Sequence, residues 1–179
     1  MSTPSPIKRN KNLVLLSRDH HDGLLIVWKL RQGIRYGVSN LRMSNFAVNA
    51  FAVDVEPHFR EEETLLFVRL AANDTLRLQA EAEHAAIQNK VAALQPVAEV
   101  TTLQLQEFAS LLEAHIRFEE RTLFPYLEKE IPPEELERIG IAIENDHLKK
   151  TPFTWQDEFW IKNKHADKNV APFTTSQSK

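Results

Sequence analysis

The chain has 179 residues, 42% hydrophobic and 26% charged, which is enough for one domain with a proper core and an ordinary globular composition. Its formal net charge of −3 argues against nucleic acid as the main partner, and no apolar run approaches the roughly 20 residues that span a bilayer. The absence of any Cys excludes disulfides, thiolate zinc, iron–sulfur clusters and Cys nucleophiles, so a metal here must be held by His and carboxylate.

The opening MSTPSPIKRNKN carries charge but no apolar stretch suited to a signal peptide, which predicts a cytoplasmic protein. Residues 1–11 read as a disordered leader, and the residues after about Val170 as a loose end. Few Gly and many Leu, Ala, Glu and Arg favour helices. Leu13, Leu16, His20, Leu24 and Val27 recur every three or four residues and predict a first helix over 12–33. Gly33 and Gly37, with Ser39 and Asn40, mark a turn. A second helix runs from about Met43 to Ala72, with Pro57 loosening it just before His58. Asp74 or Thr75 caps a third, reaching Leu94 and closed by Pro96. Thr101 or Thr102 opens a fourth, through Glu130. Pro133 begins a short fifth that ends near Lys149. These elements predict an all-α fold, an up-down-up-down four-helix bundle over 12–150 that includes the capping fifth helix. Residues 151–179 follow as a strap and tail, with Trp155, Phe159 and Trp160 closing one end of the core.

One phrase occurs twice. HFREEETLLFVRL (58–70) and HIRFEERTLFPYL (115–127) agree without a gap at seven of thirteen positions, among them His58/His115, Glu62/Glu119 and Glu63/Glu120. His and Glu four residues apart share one helix face, and the Leu residues that continue the stripe turn that face inward. A carboxylate there is costly unless it is paired, hydrogen-bonded or bound to metal. His20 and His84 lie on the apolar stripes of the first and third helices, with His21 the competitor to His20 on the less apolar side. Four inward His and two inward Glu suit two metal ions, each taking two histidines, with the carboxylates bridging. Imidazole and carboxylate without sulfur favour iron or manganese, with zinc possible. Glu61, Glu63 and Glu120 turn away from this face and are expected in solvent or paired with Arg60, Arg117 or Arg121. Arg117 could alternatively shield the site mouth.

The pattern His20 … His58-x-x-x-Glu62 … His84 … His115-x-x-x-Glu119 resembles the hemerythrin-like (HHE cation-binding) family over residues 12–130. The resemblance implies a four-helix bundle around a non-haem di-iron centre that binds, senses or reduces O₂, peroxide or nitric oxide. Oxygen-carrying members place two histidines one turn apart on the third helix, whereas Ala80 and Gln88 flank His84 here. The four-His, two-carboxylate set is closer to bacterial iron-centre repair and regulatory members, although their Cys-bearing segment has no counterpart in a chain without Cys. An iron-binding module without turnover is the alternative. A ferritin-like arrangement is another, since Glu81-x-x-His84 and Glu144-x-x-His147 spell its Glu-x-x-His motif. His165 belongs to the tail and is expected to be idle.

Overall fold

In the computed structural model, which describes residues 9–95 and 99–162, every regular element is helical. A single 3₁₀ turn, Lys11–Leu13, leads into α1 (Val14–Arg35). The second rod, 40–69, is continuous but not uniform. It joins α2 (Asn40–Ala50), a π-turn at Phe51–Val55, α3 (Glu56–Glu61), a second π-turn at Glu62–Leu66 and a closing 3₁₀ turn at Phe67–Arg69. The third rod is α4 (Thr75–Ala92). The fourth joins α5 (Thr102–Phe118), a π-turn at Glu119–Leu123 and α6 (Phe124–Glu130), and α7 (Pro133–His147) lies outside.

The ends of the rods follow local chemistry. Asp74 accepts from the backbone N–H groups of Leu76 and Arg77 at 2.9 and 3.0 Å, satisfying two donors that α4 leaves open. Thr101 and Gln104 form a reciprocal capping box at the start of α5. The turn after α1 is made by Gly37, whose φ of +68° suits a residue without Cβ. Gly33 sits within the last turn of α1; its carbonyl accepts from the Val38 N–H at 3.0 Å to close that turn, and a Cβ on it would come within 2.7 Å of both Met43 and Phe159, so it also serves close packing.

Two apolar layers stack along the bundle with a polar layer between them. On α1, Leu13 and Leu16 belong to one layer and Ile26, Val27 and Leu30 to the other, with His20 between. On the second rod the order reverses: Val55 and Phe59 come before Leu66, Phe67 and Leu70. It reverses again on α4 and once more on the fourth rod, which is the up-down-up-down topology. Phe46 is surrounded by Phe153, Trp155, Phe159 and Trp160, so the aromatic strap packs on the layer away from α7.

Residues 1–8 lie outside the described residues, but Arg9 to Lys11, expected within the leader, are described. Arg9 and Asn10 are tied to Glu120 and Glu128, because a guanidinium among carboxylates and an aromatic ring has strong local partners. Pro96, His165 and the tail after Val170 lie outside the described residues. No helix among the described residues is long and apolar enough to cross a membrane.

Candidate metal centre

His20 on α1, His58 on α3, His84 on α4 and His115 on α5 all turn into the polar layer, joined by Glu62 and Glu119. Both glutamates are completely buried. Its neighbour His21 is exposed, whereas His20 is buried. Two overlapping groups converge, His20–His58–Glu62–Glu119 and Glu62–His84–His115–Glu119, and the same two carboxylates belong to both. Glu62 approaches His58 at 3.2 Å through one oxygen and His84 at 3.4 Å through the other. Glu119 approaches His20 and His115 at 3.0 and 3.1 Å through one oxygen and His84 at 3.7 Å through the other. The two imidazole pairs repeat each other's geometry, with centroids 4.7 Å apart and interplanar angles of 75° and 74°.

Despite these distances, none of the inward atoms is aligned for a hydrogen bond. The four Nε2 atoms and all four oxygens of Glu62 and Glu119 are buried without a hydrogen-bond partner among the described residues. Eight orphaned polar atoms in one layer, with Trp155 Nε1 the one other such side-chain atom among the described residues, are far outside what a folded protein tolerates. Their lone pairs converge on shared space instead of on each other, and a donor set of imidazole and carboxylate without sulfur fits iron, manganese or zinc.

The outer nitrogens are all satisfied, and by a rule. The Nδ1–H of His20 donates to Glu120 (2.7 Å), that of His58 to Asp19 (3.3 Å), that of His84 to Glu63 (2.7 Å) and that of His115 to Glu83 (2.9 Å). Each bond crosses to a neighbouring rod: first to fourth, fourth to third, third to second and second to first. The ring closes around the bundle. With a carboxylate on Nδ1, the proton stays there and the Nε2 lone pair is presented inward. Glu63 and Glu120 are therefore not solvated bystanders, as expected from the sequence, nor paired with Arg117 or Arg121. A residue 100° off the inward face can reach the adjacent rod, even where, as at Glu63, its side chain is partly exposed. Their identity in the repeated phrase was the available signal. Asp19 and Glu83 were missed altogether, although each immediately precedes a cage histidine and together they complete the pseudo-symmetry. Arg117 is half exposed and pairs with Glu113, one turn back on α5, at 2.6 Å.

The π-turns at Glu62–Leu66 and Glu119–Leu123 each begin on the inward glutamate, with the N–H of Phe67 returning to the Glu62 carbonyl and that of Phe124 to Glu119. In the same register the Glu120 carbonyl would look to residue 125, a proline with no N–H, and Arg9 donates to it instead at 2.8 Å.

Burial disfavours charge on the imidazoles, but the surrounding carboxylates outweigh it. They raise His84 to about 11 and His115 to about 9, and lift His20 and His58 as well. Burial likewise opposes ionisation of Glu120, yet His20, Ser17 and Arg9 bring it down to about 2. Glu62 and Glu119 are held below the usual carboxylate range by the histidines against burial, and Glu119 also against Glu62. Without metal, protons would thus occupy the cage, and a cation would have to displace them.

A small cavity with room for about one water adjoins His20, His58 and His115, bounded by Gly23, Asp54, Phe59 and Ile116. It breaks the pseudo-symmetry: Gly23 stands where the other half has Ile87, and Ile116 where it has Phe59, which stacks on His84 at 3.7 Å. Burial and the neighbouring Asp22 and Asp19 raise the Asp54 carboxyl to about 6.

The ferritin-like arrangement does not form. Glu81 pairs with Arg77, Glu144 is exposed, and His147 on α7 bonds Asp19 and the Ile143 carbonyl outside the cage. Asp19, His58 and Glu61 also converge, but the Lys150 ammonium stands between the two carboxylates, at 2.8 and 3.2 Å.

With this geometry in view, comparison of the sequence with protein families gives a match to the hemerythrin HHE cation binding domain over residues 18–127, more than half of the chain. The chain belongs to the hemerythrin HHE cation-binding family. No match to the chain was found among curated proteins or among solved structures. The matched span opens two residues before His20 and closes on the repeated phrase, so all six cage residues of this HHE domain lie within it.

Proposed function

We propose that the cage holds two iron ions, with His20, His58, His84 and His115 as terminal ligands through Nε2 and Glu62 and Glu119 bridging, and that the protein binds, senses or reduces O₂, peroxide or nitric oxide in the cytoplasm. The observation that carries this reading is the set of eight buried, partnerless polar atoms divided between two convergent groups that share both carboxylates. Bound iron would supply one-electron redox chemistry and coordination positions that a six-residue set leaves free.

The chain's own contribution is orientation, exclusion and proton placement. The carboxylate ring keeps the Nδ1 proton of every imidazole in place, so a ligand has only to give up its Nε2 proton, without turning, when its partner atom arrives. The two apolar layers keep bulk water from the cage. The cavity beside His20 and His58 suits a molecule with few heavy atoms, and the Asp54 carboxyl at its wall can hold or release a proton near neutral pH.

The test is metal content and visible absorption on protein purified anaerobically, then exposed separately to air, peroxide and nitric oxide. Two irons per chain, with absorption rising on exposure to at least one of them, supports the reading. A chain that takes up no metal under anaerobic iron loading contradicts it. The second reading, an iron-binding regulatory or storage module without turnover, is favoured by how little space the cage leaves around itself. It predicts two bound irons, a large loss of structure on chelation and no rapid reaction with any of the three oxidants.

A further inference from the structure

The carboxylate ring is symmetric in the sequence, but what stands behind it is not. Glu120, which orients His20, has only 19% of its side chain exposed and receives Arg9 at 2.6 Å and Ser17 at 2.7 Å. Arg9 is itself 94% buried, donates also to the Glu120 carbonyl and to Glu128, and lies 4.9 Å over Phe124, which also stacks on His20 at 5.1 Å. His20 is therefore backed twice by one guanidinium, through Glu120 and through Phe124. Asp19, which orients His58, is 17% exposed and receives Lys150 at 2.8 Å and His147 at 3.0 Å. The Asp19–His58 bond is the longest of the four, so the Arg9 arm is the stronger of these two backings. On the other side, Glu63 is 42% exposed with His84 as its only bonded partner among the described residues. Glu83 is 31% exposed and has only Gln79 behind it.

We propose that the two metal positions are unequal: the His20–His58 position retains its ion and the His84–His115 position exchanges, with Arg9 a positioning residue that holds His20 through Glu120 and Phe124. The proposal rests on the two-metal reading above. A metal leaves when a terminal ligand swings away, and an imidazole swings only if the carboxylate on its Nδ1 goes with it. Glu63 and Glu83 can follow their histidines into solvent. Glu120 and Asp19 cannot without breaking buried charge-assisted bonds, which are costly to leave unmade.

The experiment is chelator-driven release of Fe(II) from the fully loaded chain, anaerobically, followed by absorbance of the chelate, with uptake measured beforehand. Uptake of two ions, release in two phases, and a slow phase roughly 10- to 100-fold faster in Arg9→Ala with the fast phase unchanged is the expected result. Glu63→Gln should do the reverse and quicken only the fast phase. Lys150→Met, three residues past the end of α7, should quicken the slow phase and serves as the second variant should Arg9→Ala fold poorly. Two ions leaving at one rate would overturn the proposal and leave the two-metal reading standing, as would Arg9→Ala or Lys150→Met acting on the fast phase or on neither. Uptake of one ion or none would overturn both.

Discussion

Adding one methyl group at Gly23 separates metal holding from ligand access. A Cβ there would meet the flexible tip of the Ile116 side chain at 2.8 Å, and Gly23 and Ile116 both line the small cavity beside His20 and His58, so the added methyl group narrows it. Gly23→Ala is thus expected to fold, with a helix-propensity gain of up to about 1 kcal/mol offsetting the crowding. It should keep its full metal content and react with peroxide about tenfold more slowly, a barrier increase of about 1.4 kcal/mol. Stopped-flow mixing of the iron-loaded variant reads this, and an unchanged rate would remove the cavity from the route. The metal-free chain should also show a defined pH profile. His84 and His115, raised to about 11 and about 9 from 6.5, add stability that is complete below pH 6.5 and lost as pH rises through those values. Glu120, lowered from 4.5 to about 2, adds stability that is present above pH 4.5 and lost as pH falls towards 2. Apo-protein melts should therefore peak between about pH 4.5 and 6.5 and weaken on the alkaline side, where bound metal, having replaced the protons, removes the decline. The six inward residues were readable because His-x-x-x-Glu on an apolar stripe leaves few alternatives. Asp19 and Glu83 were not, because a carboxylate beside a histidine looks like any solvated acid until the neighbouring rod is in place.

Capping and the π-turns govern the helical rods. Asp74→Ala removes acceptors for Leu76 and Arg77 at the start of α4 and the partner of the Tyr126 hydroxyl at 2.7 Å. A loss of about 1 kcal/mol is expected from the cap, read from the denaturant midpoint at fixed metal content. A change below a few tenths would mean that packing alone holds the end of α4. Asp74, Thr101 and Pro133 were legible as helix starts because each acts through its own neighbours. The π-turns were not. Pro57 and Pro125 each follow one, but Glu62–Leu66 has no proline after it, so a missing N–H is not the whole cause. Their shared feature is that two of the three begin on a cage glutamate. Gly33 was read only in part: near a helix end it supplies the carbonyl that closes the turn, and only the packing of Met43 and Phe159 against it reveals a contact surface.

The whole bundle is built as two apolar layers around a charged one, and the layer between is what the fold cannot satisfy alone. Glu62 and Glu119 raise each other's cost when buried together, and four imidazoles compensate only by holding protons. Metal should accordingly act as a structural component. At free metal 1,000-fold above its dissociation constant, the stabilisation is about 4 kcal/mol, or roughly 8–16 °C in melting temperature for a domain of this size. Calorimetry before and after chelation measures this, and equal melting temperatures would mean that the empty cage is already stable. The up-down-up-down order was legible at this scale because four amphipathic runs with short connections have few ways to bury their stripes. The inequality of the two halves was not, since it depends on Arg9 and Lys150 reaching the cage from opposite ends of the chain.

The most direct measurement is anomalous X-ray diffraction from crystals of the iron-loaded protein, recorded on either side of the iron absorption edge. Two peaks are expected inside the bundle, one touching the Nε2 atoms of His20 and His58 and the other those of His84 and His115, with Glu62 and Glu119 between them. A single peak, or iron bound only at Asp19 and Glu61 outside the cage, would contradict it.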